Sequence, residues 1–377
     1  MREELKDPAL TKHAGRFVWL ELNFDKPVNR SFIVGHAVTA TPTLFVLAPT
    51  SDRVIATHSG SLPLPQLTQF LERGEQGVRP RAASSEDAAL ARGDEQLGTG
   101  RVAEAAASYR AALRAAPATW RGRGHALIQL TTALRTLRDD EGSATTAATH
   151  APHMAHDGDF ARVVLDGLDS ANRGDTARWA RATRGALVRL AAQAVDLRDL
   201  DHDTRFQLYS SLVEAAERAP DHPARQRWQE RWLRELDAIH PKSDDERTAL
   251  DIARVEAART LELPGRFVPA LEASERAMPG NYVPSLRLAQ LLLMSKRWDA
   301  MIGACNRGLA RVDGPLGRSW LLMMKAQALL EKGDRARARQ TLIEARQSAS
   351  QINSPANRES YFKSIDALQA RERHRAG

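Results

Sequence analysis

One short stretch of this chain combines residue types that could bind a metal ion. It contains His150, His153, His156, Asp157 and Asp159. Imidazole and carboxylate groups are ligands for zinc and nickel. Pro152 and Gly158 predict instead a loop between two helices. Because the sequence offers no second cluster of ligands, we interpret the stretch as a polar, solvated loop, with these histidines as weak metal candidates, and we predict no cofactor.

Cys305 is the single cysteine of the chain. Its position in the helical pattern predicts a buried residue between helices, where a thiol without a cationic neighbour is inert. Dithiol-disulfide exchange requires an attacking and a resolving thiol, which these residues do not supply. The sequence also contains no HExxH motif and no glycine-rich phosphate loop. Nothing in these residue types predicts a catalytic centre.

Length and composition predict a globular protein of two or three units. The chain has 377 residues, of which 42% are hydrophobic and 27% charged, and it contains no apolar run long enough for a membrane helix. The net charge of +7 comes almost entirely from arginine, and the basic residues alternate with 47 acidic ones. This mixing argues against nucleic acid as a partner, because a nucleic-acid interface concentrates its basic residues on one face.

Residues 1–75 mix strand and helix patterns, whereas the chain after residue 88 reads as helices throughout. Gly, Pro, Ser and charged residues mark a linker at 76–87. Alternation and apolar spacing in the first part predict, in order, a strand at 17–24, a helix at 29–38, strands at 43–47 and 53–58, and a helix at 63–73. The last two strands should form a hairpin. The predicted fold class is α+β.

The segment TATPTLFVL at 39–47, followed by a hairpin, Gly60 and a closing helix, resembles the C-terminal part of a thioredoxin-fold domain. The resemblance covers about residues 5–73. It implies that the Thr41–Pro42 peptide bond is cis. It also implies that the backbone before Pro42 pairs with a bound substrate or peptide strand.

The first βα unit of that fold and its CxxC motif have no counterpart here. Without the central strand, the predicted strands at 17–24 and 43–47 would lack a partner between them. Either another segment fills this gap, or the chain begins inside a longer gene product, which is our expectation. If a CxxC segment precedes Met1, the protein becomes a thiol-disulfide oxidoreductase.

Residues 88–117 resemble a tetratricopeptide (TPR) repeat, a pair of helices with small residues where the two helices cross. The matching residues are Gly93, Gly100, Ala105, Tyr109, Ala112 and Pro117. The clearer repeats recur at 264–351, where the corresponding residues include Ala326, Gly333, Ala338 and Ala345. The resemblance implies that these residues pack the helices of each repeat together.

The region between the clearer repeats, 118–263, keeps helical periodicity without the repeat signature. We interpret it as degenerate hairpins of one α-solenoid that spans 88–373. The alternative is a helical bundle inserted between two short blocks of repeats.

Arrays of helical hairpins bind an extended peptide or a partner helix without chemistry of their own. The sequence therefore predicts a protein-interaction scaffold of the thioredoxin-like and TPR type, with a protein or peptide partner on the concave face of the repeats. The alternatives are the oxidoreductase described above and a nucleic-acid-binding helical repeat. With no export signal in view the chain reads as cytoplasmic, whereas a preceding signal sequence would place it in the periplasm or outside the cell.

Overall fold

The computed structural model describes residues 4–374 except 37, 39, 40, 50, 52, 61, 63, 79–83, 175, 176, 220 and 221. A small antiparallel sheet near the N-terminus is followed by an array of helices. The chain divides into two compact units. The first unit comprises residues 1–19 and 40–232, and the second comprises residues 20–39 and 233–377.

The elements follow one another as α1 (Arg30–Gly35), β1 (Thr43–Leu47), β2 (Val54–Ser59), α2 (Leu64–Val78), α3 (Ser85–Gly98), α4 (Val102–Ala115), α5 (Arg123–Thr136), α6 (Asp140–His150), α7 (Gly158–Arg173), α8 (Arg178–Ala194), α9 (His202–Arg218), α10 (His222–Ala238), α11 (Asp244–Thr260), α12 (Pro264–Ala277), α13 (Val283–Met294), α14 (Trp298–Leu309), α15 (Pro315–Glu331), α16 (Arg335–Ser350) and α17 (Pro355–His374). Short 3-10 helices lie at Glu4–Lys6, Pro8–His13, Pro27–Asn29 and Ala151–His153.

The predicted hairpin and its closing helix are confirmed. Strands β1 and β2 pair antiparallel, with Thr43 opposite Ser59 and Phe45 opposite Thr57. Helix α2 packs on this hairpin because its apolar side chains share one face. The resulting core contains Leu10, Val46, Ile55, Ala56, Leu62, Leu67, Phe70 and Leu71.

The predicted strand at 17–24 is wrong. These residues form no strand, and the side chain of Val18 is 88% exposed and that of Leu20 78% exposed. The apolar run had predicted a buried strand, but a strand is stable only when a neighbouring strand accepts its backbone hydrogen bonds. Among the described residues the sheet contains β1 and β2 alone, so no strand edge receives this segment.

Consecutive helices pack against one another within each unit, as in an α-solenoid. In the first unit each helix from α3 to α8 contacts the next one along the chain, and α3, α5, α7 and α9 also contact each other in that order. In the second unit the same pattern runs from α11 to α17, where α11, α13, α15 and α17 form the contacting series. Alternate helices therefore stack as one layer, which is the packing expected of repeated helical hairpins.

Five of these hairpins share one turn geometry. The second residue of each turn has a left-handed backbone, with φ between 55° and 81°, and these residues are Gly100, Arg138, Glu262, Lys296 and Gly333. In each case the residue five positions later is buried in the second helix of the hairpin; these are Ala105, Ser143, Phe267, Met301 and Ala338. We call this turn with its buried position the hairpin frame. Only two of the five turns carry glycine at the left-handed position. The turn between α5 and α6 has Arg138 there, so the glycine that marks the repeat signature is missing from this hairpin.

The middle region is helical, as its periodicity predicted, and it contains α5 to α11. Helix α6 was not predicted, because its residues DEGSATTAATH form no apolar stripe. The predicted linker at 76–87 lies within the first unit, and the limit between the two units falls inside α10. Residues 79–83 of that predicted linker lie outside the described residues.

Candidate peptide-binding site

The turn that precedes β1 has the geometry that the thioredoxin resemblance implies. The Thr41–Pro42 peptide bond is cis, and the carbonyl oxygen of Pro42 accepts a hydrogen bond from the backbone N–H of Gly60 at 2.8 Å. Residue 40 lies outside the described residues. The binding of a substrate strand by Thr41 and Pro42 stays a prediction.

The predicted repeat-packing residues of the first repeat lie between α3 and α4. The side chain of Tyr109 is fully buried against Gly93, where a Cβ atom would stand only 2.5 Å from the ring. The Tyr109 hydroxyl donates a hydrogen bond to Asp94 Oδ1 at 2.8 Å. Ala105 and Ala112 are also fully buried, and Pro117 follows the end of α4.

In the C-terminal repeat, Ala326, Ala338 and Ala345 occupy the equivalent buried positions on α15 and α16. Gly333 has a different role from the packing role that we expected. It lies in the turn between these helices with φ of 81°, and no atom would contact a Cβ there. Glycine suits this position because it adopts the left-handed conformation without steric cost.

The candidate metal ligands do not come together. His150 ends α6 and His153 ends the following 3-10 helix, while the ring of His156 stacks on Phe160 at 4.5 Å. Burial lowers the pKa of His150, and nearby Arg123 and His153 lower it further. Within the described ranges no group of three His, Cys, Asp or Glu side chains is arranged to hold a metal ion.

The thiol of Cys305 is fully buried on α14. Burial raises its pKa to about 12, and the positive charges of Lys325 and Arg307 offset only part of that effect. A thiol with this pKa remains protonated near neutral pH and is a poor nucleophile. Cys305 therefore fills space between helices, as its place in the repeat pattern indicated.

The second unit holds a turn of the same chain, in which the backbone N–H of Lys26 donates a hydrogen bond to the carbonyl oxygen of Asn23 at 3.2 Å. Asn353 lies in the loop between α16 and α17, and its side chain is 2% exposed. Its amide donates hydrogen bonds to the carbonyl oxygen of Phe24 at 2.9 Å and to that of Lys26 at 3.0 Å. These contacts recognise backbone atoms, so they depend on the turn of the segment rather than on its side chains.

The residue between those two carbonyls, Asp25, lies against the N-terminus of α15. A Cβ atom at Gly314, the N-cap residue, would stand 2.2 Å from Asp25 Oδ2, so glycine leaves the space that this carboxylate occupies. Gly314 itself offers no side-chain cap. A carboxylate at this end of a helix is favoured by the exposed N–H groups and by the helix dipole.

Burial raises the pKa of Asp25; the backbone N–H of Leu316 lowers it, and the nearby charge of Asp313 raises it again. Two tyrosines border the same carboxylate. Burial first, and then the charge of Asp25, raise the pKa of Tyr282. The pKa of Tyr361 is raised to about 12, with burial as the largest cause. The site therefore combines a buried amide, a helix N-terminus and two neutral phenols, which suit a peptide turn with one acidic residue.

Sequence reasoning missed this site. Asn353 lies in a short loop that carries no motif, and Asp25 is more than 280 residues from Gly314 along the chain. One signal was present, because the Gly314–Pro315 pair begins a helix whose first turn has no side-chain cap. A helix that begins in this way takes its cap from water or from elsewhere in the fold.

No protein-family model matches this chain, and no curated protein matches it either. Across the described residues no helix is both long enough and apolar enough to cross a bilayer.

Proposed function

We propose that this protein is a peptide-binding scaffold built from TPR-type helical hairpins. The observation that carries the proposal is the pair of hydrogen bonds from Asn353 to the backbone of residues 24 and 26. A side chain that holds two backbone carbonyls, with a helix N-terminus beside it for one carboxylate, forms a site for a peptide turn. The partner is a protein with an exposed turn that contains an acidic residue.

The hairpin frame supports the TPR part of this proposal. It recurs at α3/α4, α5/α6, α11/α12, α13/α14 and α15/α16. Repeated hairpins with small or apolar residues at one fixed position are typical of helical-repeat scaffolds, which act by presenting a binding surface.

The experiment uses the full-length chain and a labelled synthetic peptide of residues 20–39. In the wild-type protein the chain's own segment occupies the site, so we expect weak binding of the peptide. The variant Asp25→Lys places a positive charge at the N-terminus of α15, which releases the chain's own segment. This variant should bind the wild-type peptide in a fluorescence-anisotropy titration.

Two controls make the test specific. The double variant Asp25→Lys/Asn353→Leu should lose peptide binding, because leucine cannot donate to the two carbonyls. A peptide that carries Asp25→Lys should bind neither protein. If the folded Asp25→Lys variant binds no peptide, the proposal is wrong.

A second candidate function is thiol-disulfide exchange, favoured by the β1–β2 hairpin with α2 behind it, an order of elements that also ends a thioredoxin fold. It requires a CxxC segment in addition to the residues described here. Insulin reduction by the endogenous protein, purified without reductant, tests it. Activity that disappears after alkylation of its cysteines would favour the redox function over the scaffold.

A further inference from the structure

The first unit contains a polar cleft that the proposed scaffold function does not use. The cleft has a volume of about 50 Å³ and is lined by side chains from β2, α2, α5, α7 and α9. Two apolar side chains, Leu62 and Ile128, lie among polar ones that include Gln66 and Gln69. Its mixed lining suits a small hydrophilic molecule rather than a packed core.

Arg73 of α2 enters this cleft without a partner. Its Nε atom is buried and has no hydrogen-bond partner, and within the described residues the guanidinium forms no hydrogen bond or ion pair. Burial lowers the pKa of Arg73, and the nearby carboxylates of Asp94 and Asp159 raise it without fully offsetting burial. A partly buried guanidinium gains from a carboxylate or phosphate partner, because desolvation of an unpaired charge is costly.

Asp159, at the first turn of α7, is the anionic counterpart on the same cleft. Its carboxylate lies over Gly124, where a Cβ atom would stand 2.2 Å from Oδ2. In the part of the chain that the structure describes, Asp159 forms no hydrogen bond or ion pair through its side chain. Burial and the charge of Asp157 raise its pKa, and His125 and Arg73 lower it. Arg73 and Asp159 thus lie close enough to interact electrostatically, but they do not contact each other.

Other charged groups of the cleft do have partners. His125 Nε2 lies 3.1 Å from both carboxylate oxygens of Asp94. Arg162 lies 3.5 Å from Asp166, and Asp201 accepts a hydrogen bond from the backbone N–H of Thr204 at 2.8 Å. Within the described residues, Arg73 and Asp159 differ from these neighbours in forming no hydrogen bond or ion pair, so both remain available to a ligand.

We propose that this cleft binds a small zwitterion, with its carboxylate on Arg73 and its ammonium group on Asp159. A ligand of this class, such as an α-amino acid, satisfies both unpaired charges at once and leaves a short apolar group for Leu62 and Ile128. A dianionic phosphate fits less well, because Asp159 and Asp201 line the same cleft. This site is independent of peptide binding by the second unit.

The experiment titrates the full-length protein by isothermal calorimetry with each of the twenty standard L-amino acids, and with β-alanine and γ-aminobutyrate, whose charged groups are further apart. We expect at least one of these compounds to bind. Its N-acetyl derivative, which lacks the ammonium group, and its amide, which lacks the carboxylate, should each bind at least about tenfold more weakly, since one charge-assisted contact is lost.

Variants assign the two ends of the ligand. Arg73→Gln should weaken binding of the zwitterion about tenfold or more but leave binding of the amide derivative unchanged. Asp159→Asn should likewise weaken binding of the zwitterion but leave binding of the N-acetyl derivative unchanged. Arg92→Gln, at an exposed arginine of α3, is the matched control and should bind as the wild type does. Circular dichroism is used to check that each variant is folded.

The proposal is overturned if none of the compounds binds at 10 mM, a concentration about tenfold above a millimolar Kd. It is also overturned if a ligand binds equally well to wild type and to folded Arg73→Gln. Neither result would affect the peptide titration of the second unit.

Discussion

The two units place a partly buried aspartate in different surroundings. In the second unit Asp25 lies beside Gly314 at the N-terminus of α15, on a segment that Asn353 holds by its backbone. In the first unit Asp159 lies beside Gly124 and faces a cleft, where its side chain has no hydrogen-bonding partner among the described residues. In both places a glycine makes room for a carboxylate. The difference is that Asp25 lies against a helix N-terminus of the same chain, whereas Asp159 faces the cleft for which we propose a ligand.

A third aspartate makes the comparison sharper, because it lies on the same helix as Asp159. Asp166 is fully buried and pairs with Arg135, and it accepts a hydrogen bond from Thr131 Oγ1 at 2.9 Å. Removing one member of a buried ion pair leaves the other charge uncompensated. We expect Asp166→Asn to lower the free energy of unfolding by about 3 kcal/mol, as measured by urea denaturation.

The matched control is Asp159→Asn, two turns earlier on α7. Since the side chain of Asp159 forms no hydrogen bond or ion pair with the residues that the structure describes, this variant should be as stable as the wild type or more stable. Equal losses in the two variants would contradict the distinction between a paired and an unpaired carboxylate.

The second unit gives the next largest effect. Gly314→Ala would place a methyl group in the space of the Asp25 carboxylate and should cost about 1–2 kcal/mol through crowding. The double variant Gly314→Ala/Asp25→Ala should cost less than the sum of its single changes, because the two groups compete for one space. Gly280→Ala is the control, since no atom lies within 4 Å of a Cβ there.

The hairpin frame predicts a smaller effect with the opposite sign. Lys296 has φ of 55°, a conformation that costs a residue with a side chain about 1–2 kcal/mol relative to glycine. Lys296→Gly should therefore raise the unfolding free energy by about 0.5–1 kcal/mol, after the greater chain entropy of glycine is subtracted. Ser295→Gly, at the preceding residue with φ of −86°, should give no such gain in thermal denaturation.

The smallest effect is a pH dependence in the first unit. The pKa of Asp159 is raised in the folded protein, so the folded state binds this proton more tightly than the unfolded state does. The contribution of Asp159 to the free energy of unfolding is therefore favourable at a pH below the ordinary carboxyl pKa, and it is lost as the pH rises through the raised pKa. We expect wild type and Asp159→Asn to be equally stable at low pH and the variant to gain relative to wild type above that range. A constant difference from pH 3 to 7 would contradict the assignment.

Local patterns predicted the elements well where the neighbours along the chain decide the structure. The β1–β2 hairpin, α2 and most of the helices from α3 to α16 follow from apolar spacing and turn residues. The pattern failed at 17–24, since an apolar run forms a strand only if a second strand accepts its hydrogen bonds. It also missed α6, whose Ala and Thr residues carry little periodicity.

The candidate sites depended on contacts that no local pattern records. The stretch at 150–156 has the residue types of a metal site, but among the described residues no three of its ligand groups are arranged to hold a metal ion. The frame at Arg138 and Glu262 was hidden because these residues adopt, without glycine, the backbone conformation that glycine signals elsewhere.

The sequence by itself determined the helical array, the hairpin near the N-terminus and the absence of a dithiol from these residues, because each depends on residue type and short spacing. Tertiary structure alone decided that Asn353 and Gly314 receive residues 24–26, and that Arg73 and Asp159 face one cleft. The physical reason is that burial and pairing of a charge depend on groups brought together from distant parts of the chain, whereas helix and turn propensity depend on near neighbours.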